Sequence, residues 1–340
     1  VRLSIIDPEG GVQPWTSACG RFVMAYNGVV YNYVELRSQL ATAGRTFRTR
    51  SDTEVVLESF AEWGADCLRR FNGQFALALH DRERDSLFLA RDRFGIRPLF
   101  YSDSGSGFVF GSEVKGLHAS GLLERAFDPD GLDQVFTFWG ARAPVTPFRG
   151  VWSLRPGEWL EWRDGRVRTR TWYTPSYGAP GTEGDDAVER LDAELRDSVR
   201  LRLRSDVTVG GYLSGGLDSS ITCALSIAAA DDLRTFSITF DDPEYDESDY
   251  QSLVSKELGT DHSVTRVTST EIGRIFPEVI RHTEAPLVRT APAPLYLLSR
   301  AASEHGIKVV LTGEGADEVF WGYDIFKEVA VRRFCLRQPD

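Results

Sequence analysis

The second half of the chain alternates between short apolar runs and helical periodicity, and this alternation restricts the fold more than any other feature of the sequence. Strand-like runs at 207–213, 234–240, 261–267 and 308–311 are separated by helical patterns at 248–258, 271–282 and 295–304. Ahead of them Val188, Leu191, Leu195, Val199 and Leu203 step by three and four, the spacing of one helix face. A strand joined to the next by a helix returns parallel to itself, so this half is expected to form a doubly wound parallel α/β sheet.

The first half has a different rhythm. Runs at 21–26, 75–80, 86–90, 98–101 and 108–111 are short, and polar turns such as DRERD and DSGSG separate several of them. Strands this close together pair antiparallel. The run at 21–26 is expected to end at Asn27-Gly28. Two helices are expected here. One starts at Asn32, with Glu35 three residues on; the other opens on the capping box Ser51-Asp-Thr-Glu54 and stops at Gly64. A hairpin around Asp164-Gly165 spans 151–173, and the Gly-, Pro- and acid-rich stretch 176–186 reads as a linker. The expected layout is one domain over 1–150, hairpin and linker over 151–186, and a second domain over 187–340.

At 340 residues the chain is long enough for two cores, and 42% apolar with 26% charged residues is ordinary globular composition. A formal charge of −11 argues against binding a nucleic-acid backbone. No apolar stretch reaches membrane-spanning length and no leader-like segment opens the chain, so no membrane role and a cytoplasmic location are expected. Cys19, Cys67, Cys223 and Cys335 are far apart and read as reduced thiols, Cys19 and Cys67 as small packing residues. The five histidines show no zinc-ligand spacing. The chain starts on Val1 and stops just after a helical run, so both ends read as cut. A homodimer is allowed but not required.

The chemistry concentrates at Ser214-Gly215-Gly216-Leu217-Asp218-Ser219-Ser220, between the strand at 207–213 and a helical run at 221–230. Glycines let several backbone N–H groups converge, a helix N-terminus adds partial positive charge, and serine hydroxyls add donors. That set of groups suits a phosphate cluster. It lacks the lysine of a Walker A loop. It resembles the pyrophosphate loop of the ATP pyrophosphatase group, in which a carboxylate such as Asp218 beside a triphosphate holds Mg²⁺. A second strand runs into a glycine-containing bend at 308–323, KVVLTGEGADEVFWGY. If the two strands are near neighbours, Asp218 and Asp317 share one Mg²⁺–pyrophosphate and Glu314 is placed to act as a base. Without a ligand, the first stretch is a Gly/Ser turn and the second a helix start with acids favouring its dipole.

Taken in order, RLSIID at 2–7, YNGVVYNY at 26–33, SDTE at 51–54, FNGQFALALHD at 71–81, RDRFGIRPLFY at 91–101 and GSEVKGL at 111–117, followed by SGGLDSS and TGEGADEVFWGY, resemble the glutamine-hydrolysing asparagine synthetase family. The resemblance covers nearly the whole chain. It implies an N-terminal glutaminase domain of the class II amidotransferase, Ntn type, and a C-terminal ATP pyrophosphatase domain. Arg2 would then pair with the carboxylate of glutamine, Leu3, Ser4, Ile5 and Ile6 would line its pocket, and Asp52 would hold its ammonium. Asn27 and the Gly28 N–H would form the oxyanion hole. Many relatives carry an acid where this chain has Val29, which removes one ligand for the ammonium. Leu213, Ile238, Thr312 and Gly313 would frame adenine and ribose.

The resemblance implies glutamine, ATP and aspartate as substrates, Mg²⁺ as cofactor, and an acyl-adenylate on the way to asparagine, AMP and pyrophosphate. The family's nucleophile is an N-terminal cysteine. Cys19 does not occupy that position, so these 340 residues are expected to lack glutaminase activity and also the C-terminal part of the synthetase domain. Arg289, in EAPLVRTAPAPLY at 284–296, is either an acceptor-carboxylate ligand or a surface arginine. Two rivals stay open: the same chemistry on another carboxylate, as in β-lactam synthetases and natural-product amidotransferases, and a non-catalytic ATP-binding scaffold.

Overall fold

A computed structural model of the chain describes residues 2–105, 107–176, 184–230 and 232–337. It contains two compact units, Val1–Ala187 with Arg204–Asp206 and Ile272–Ala293, and Val188–Leu203 with Val207–Glu271 and Pro294–Asp340. Most of the expected linker, 177–183, lies outside the described residues.

In chain order the strands of the first unit are β1 (Trp15–Thr16), β2 (Phe22–Val30), β3 (Gly73–Asp81), β4 (Ser86–Arg91), β5 (Phe100–Asp103), β6 (Phe108–Gly111), β7 (Trp152–Ser153), β8 (Glu158–Arg163) and β9 (Arg166–Thr171). They form a six-stranded sheet in the order β1-β2-β3-β4-β8-β9 and a three-stranded sheet β6-β5-β7, antiparallel throughout. Strand alternation builds two cores from one sheet. Phe75, Leu77 and Leu79 of β3 face a core filled by Leu36 and Leu40 of helix Tyr33–Thr42 and Val55–Leu57 of helix Asp52–Trp63. Ala76 and Ala78 face the other way, toward Leu89, Leu99, Leu154 and the rings of Tyr101, Phe108 and Phe110. The expected antiparallel class holds. The hairpin at Asp164-Gly165 also forms, both residues at positive φ, and through β8 it is part of the six-stranded sheet.

Three local expectations are corrected. First, β2 does not stop at Asn27-Gly28; it continues to Val30, because both residues stay in register with Ala76 and Phe75 of β3. Second, Asn32 precedes its helix without capping it. Its Nδ2 donates to the Arg70 carbonyl and its Oδ1 accepts from Asn72 N–H, each at 2.9 Å. Third, this half holds more than two helices. Helix Pro129–Phe138 carries both an Asp128 cap and a proline in its first turn, a signal legible in the sequence.

In the second unit β10 (Val209–Tyr212), β11 (Arg234–Phe240), β12 (Asp261–Val267) and β13 (Val309–Leu311) form one parallel sheet in the order β12-β11-β10-β13. Leu213 and Leu233 pack with Cys223 of helix Leu217–Ala229 and with Val254 and Leu258 of helix Ser248–Leu258. On the opposite face Tyr212, Phe236 and Val310 meet Leu298 and Ala302 of helix Pro292–Glu304. The sheet therefore has helices on both faces, as the alternation predicts. The chain first winds from β10 toward β12, then returns to place β13 on the far side of β10. This reversal leaves a crevice beyond the carboxyl ends of β10 and β13, where open α/β sheets bind their ligands.

Candidate functional site

The crevice is a cavity of about 390 Å³ within the second unit. Loop 214–220 forms one wall and 312–318 another. They are adjacent because β10 and β13 are paired, Gly211 opposite Leu311. The contact is intimate: a Cβ on Gly313 would lie 2.7 Å from Asp218 Cβ and 2.9 Å from Ser219 N, so only glycine lets the β13 exit rest on the first turn of helix Leu217–Ala229.

The loop is internally braced. Gly215 has φ +85°, and a Cβ there would lie 2.7 Å from Tyr250 Cβ and 2.9 Å from Gln251 N. The Ser214 and Ser219 hydroxyls are 2.9 Å apart, Ser214 Oγ accepts the Gly216 N–H at 3.2 Å, and Ser220 Oγ donates to the Gly216 carbonyl at 2.7 Å. Gly216 begins the helix without a side-chain cap, so the first-turn N–H groups are left to a ligand. Ser214, Gly216, Leu217, Asp218 and Ser219 line the cavity; Gly215 and Ser220 do not.

Leu213, Ile238, Thr312 and Gly313, which the resemblance would have frame adenine and ribose, also line the cavity, as do Glu314 and Asp317. Leu213 is 1% exposed and contributes an apolar floor. Reading the sequence missed several wall residues: Tyr245, Gln251, Leu295, Leu298 and Tyr323. Gln251 is buried and donates from Nε2 to the Ile238 carbonyl at 2.9 Å, bracing the edge of the cavity. Tyr323 and Leu295 lie in stretches already singled out but had no role there, and no motif marks Tyr245, Gln251 or Leu298, whose place depends on how the chain packs around the sheet.

Asp218 and Asp317 face this one cavity, and among the described residues neither pairs with a basic side chain. Among the described residues no group of three or more acids, histidines or cysteines is poised to hold a metal unaided. Two acids beside an uncapped helix start lined with serines are a donor set that fits Mg²⁺, which keeps few protein ligands and shares its shell with phosphates.

The first unit gathers a second set of residues. Arg2 Nη2 donates to the Pro8 carbonyl at 2.8 Å, and a Cβ on Gly11 would touch both Arg2 Nη2 and Ser51 Oγ. Arg2 is therefore beside Ser51, which caps helix Asp52–Trp63 by accepting the Thr53 N–H. Leu3 and Ser4 are half-buried, while Ile5 and Ile6 are in the core. Asp52 is 4% exposed; its Oδ2 accepts from Tyr26 Oη at 2.9 Å and Val30 N at 3.0 Å. Burial pushes its pKa up to about 6. Gln13 Oε1 accepts the Tyr26 N–H. By strand alternation the Gly28 N–H, between those of Tyr26 and Val30, points to that same edge. Asn27 Nδ2 reaches Ser112 Oγ at 3.4 Å, and its Oδ1 is buried without a partner. Val29 is 1% exposed.

Cys67 and Cys223 are buried, and burial raises both thiols, Cys223 to about 11. Cys19, expected to be a packing residue, is exposed, and a hydrogen bond with Ser17 lowers its thiol pKa. Arg289 lies 4.4 Å over the Trp139 ring in the first unit.

Residues 1–173 match the family described as glutamine amidotransferase domain, and residues 190–340 match asparagine synthase. Together with the antiparallel and parallel sheets, this defines an amidotransferase domain joined to an asparagine synthase domain. The chain belongs to the glutamine amidotransferase domain family over its first half and matches asparagine synthase over its second. It is 35% identical over 328 residues to asparagine synthetase [glutamine-hydrolyzing] 1 of Bacillus subtilis, covering 96% of this chain and 52% of that protein. It is 37% identical over 341 residues to a putative asparagine synthetase [glutamine-hydrolyzing] of Mycobacterium bovis, covering 96% and 52%. With asparagine synthetase B [glutamine-hydrolyzing] of Escherichia coli it shares 34% over 346 residues, covering 96% and 56%. The chain thus spans about half the length of the curated relatives it matches. Among the described residues no helix is long and apolar enough to cross a membrane.

Proposed function

We propose that the chain serves the ATP-dependent amidation of a carboxylate, with aspartate as acceptor, glutamine as nitrogen donor, and asparagine, glutamate, AMP and pyrophosphate as products. The observation that carries this reading is the contact between the loop at 214–220 and the β13 exit, which lines one cavity with a phosphate cradle and two unpaired acids. The layout that goes with it is a glutaminase domain over 1–150, hairpin and linker over 151–186, and a synthetase domain over 187–340.

In the first unit Arg2 binds the carboxylate of glutamine and Asp52 its ammonium, while Asn27 and the Gly28 N–H stabilise the oxyanion formed as the amide is attacked. These groups bind and polarise; the attacking thiol is not among them. Overall one water cleaves the amide C–N bond, its oxygen going to the acyl carbon to give glutamate and the nitrogen leaving as ammonia. In the second unit the acceptor carboxylate attacks the α-phosphorus of ATP, and the bond to the β-phosphate bridging oxygen breaks. An acyl-adenylate and pyrophosphate form. The first-turn N–H groups and the Ser214 and Ser219 hydroxyls hold the departing charge. Ammonia then attacks the acyl carbon, Glu314 takes the proton it sheds, and AMP leaves. Leu213, Ile238, Thr312 and Gly313 frame the adenosine. Asp218 and Asp317 are the residues that would hold Mg²⁺, which when bound offsets phosphate charge.

The test is exchange of labelled pyrophosphate into ATP. Exchange that requires aspartate supports the full reading. Exchange with a different acid reassigns the acceptor, and none with any amino acid leaves only nucleotide binding.

A further inference from the structure

We infer that Tyr26 is a positioning residue of the glutamine pocket: its hydroxyl fixes and keeps ionised the carboxylate of Asp52 that receives the substrate ammonium. This rests on the reading of the first unit as a glutamine site and gives a role to Tyr26, the first residue of the stretch YNGVVYNY, to which the resemblance assigned none. Tyr26 precedes Asn27 on β2, and strand alternation turns its ring to the face opposite Asn27, into the core beside helix Asp52–Trp63. Tyr26 is 3% exposed and Asp52 4%. The phenol donates to Asp52 Oδ2 at 2.9 Å, and Val30 N–H donates to the same oxygen at 3.0 Å. Both bonds fall on Oδ2, so the carboxylate cannot rotate without breaking two of them. Oδ1 is then the oxygen a ligand ammonium meets.

Isolated burial disfavours a carboxylate, and a donor aimed at it partly offsets that penalty. With Val29 in place of an acid and buried, Asp52 is the carboxylate on which the ammonium depends. The ionisable groups that act on the pair from neighbouring positions are Tyr31, Tyr33 and Arg97. Neither a phenol nor a guanidinium ordinarily changes charge between pH 4 and 8, so the acid limb of glutamine binding belongs to Asp52.

The experiment is calorimetric binding of L-glutamine to the 340-residue chain from pH 5 to 8.5, for the native protein and Tyr26→Phe. The native protein is expected to lose affinity below about pH 6. Tyr26→Phe removes the donor but keeps the ring, so its acid limb should move up by about one pH unit, with affinity at pH 8.5 within about threefold of native. A limb that stays in place while affinity falls equally at every pH would make Tyr26 merely structural and overturn the inference. The ¹³C carboxyl resonance of Asp52, followed by NMR in both proteins, gives the same answer without ligand: an unchanged titration midpoint also overturns it. If the native chain binds no glutamine at any pH while Asp52 still titrates higher in Tyr26→Phe, the glutamine reading fails and the Tyr26–Asp52 coupling survives.

Discussion

Asp52 ionises against its surroundings, and the cost can be measured. Its pKa in the fold is about 6, above the ordinary carboxylate value, because burial outweighs the Val30 and Tyr26 hydrogen bonds. A raised pKa means that the folded state holds the proton more tightly than the unfolded one. The contribution to stability is present below about pH 4 and is lost as pH rises through about 6. Asp52→Asn should therefore stabilise the first unit by about 1–3 kcal/mol at pH 8, with no gain at pH 4. Urea unfolding at the two pH values checks this; an equal offset at both would refute it. Gly215 is the matching position in the second unit. An alanine there would meet both positive φ and the Tyr250 and Gln251 backbone, so Gly215→Ala should cost about 2–4 kcal/mol. The check is the urea midpoint of the second unit, together with loss of ATP binding.

Among the elements, the turn that leaves β4 is held by two side chains, Asp92 and Arg91. Asp92 is 1% exposed, and its Oδ1 accepts from Phe94 and Ile96 N–H at 3.1 and 3.0 Å. Its Oδ2 accepts from Phe75 and Arg97 N–H at 3.2 and 3.0 Å. Arg91 closes the other side, donating to the carbonyls of Arg97, Gly95 and Leu154. The stretch RDRFG is therefore a folded turn braced by Asp92 and Arg91 and tied to Phe75 and Leu154, and it carries Phe94 exposed, with Ile96 just beyond it. Asp92→Ala would orphan several buried donors at once and should cost about 3–5 kcal/mol. Amide exchange at 94–97 should quicken more than exchange within β3; a uniform change across the unit would show that the turn is not a separate element.

At the scale of the whole molecule, each unit has its own apolar core and its own set of candidate site residues. Asp218→Asn changes a charge in the second unit's cavity. It should abolish Mg²⁺-dependent ATP binding by at least about tenfold while L-glutamine binding stays within about twofold. Joint loss of both would show that the two sites are not independent.

Much of this was legible in the residues themselves. The change from closely spaced strands to strand–helix alternation, the turn at Asp164-Gly165, the Ser51 cap with its Gly64 stop, and the SGGLDSS bend all depend on near neighbours in the chain, where periodicity and backbone preference act. What lay beyond it depends on partners distant in sequence. The Asn32 side chain goes to Arg70 and Asn72, and Glu35 meets Arg204 in a two-bond pair. Residues 204–206 and 272–293 pack with the first unit although they flank elements of the second. Gln251 and Leu298 enter the cavity wall, and Tyr26 meets Asp52, with no local pattern to announce them. Sequence alone determined the class of each half and the position of the glycine- and serine-rich bend in the second, since hydrophobic period and glycine content are local properties. Only the tertiary structure decided which side chains meet across the fold, because a buried polar group takes whichever partner the packing brings to it.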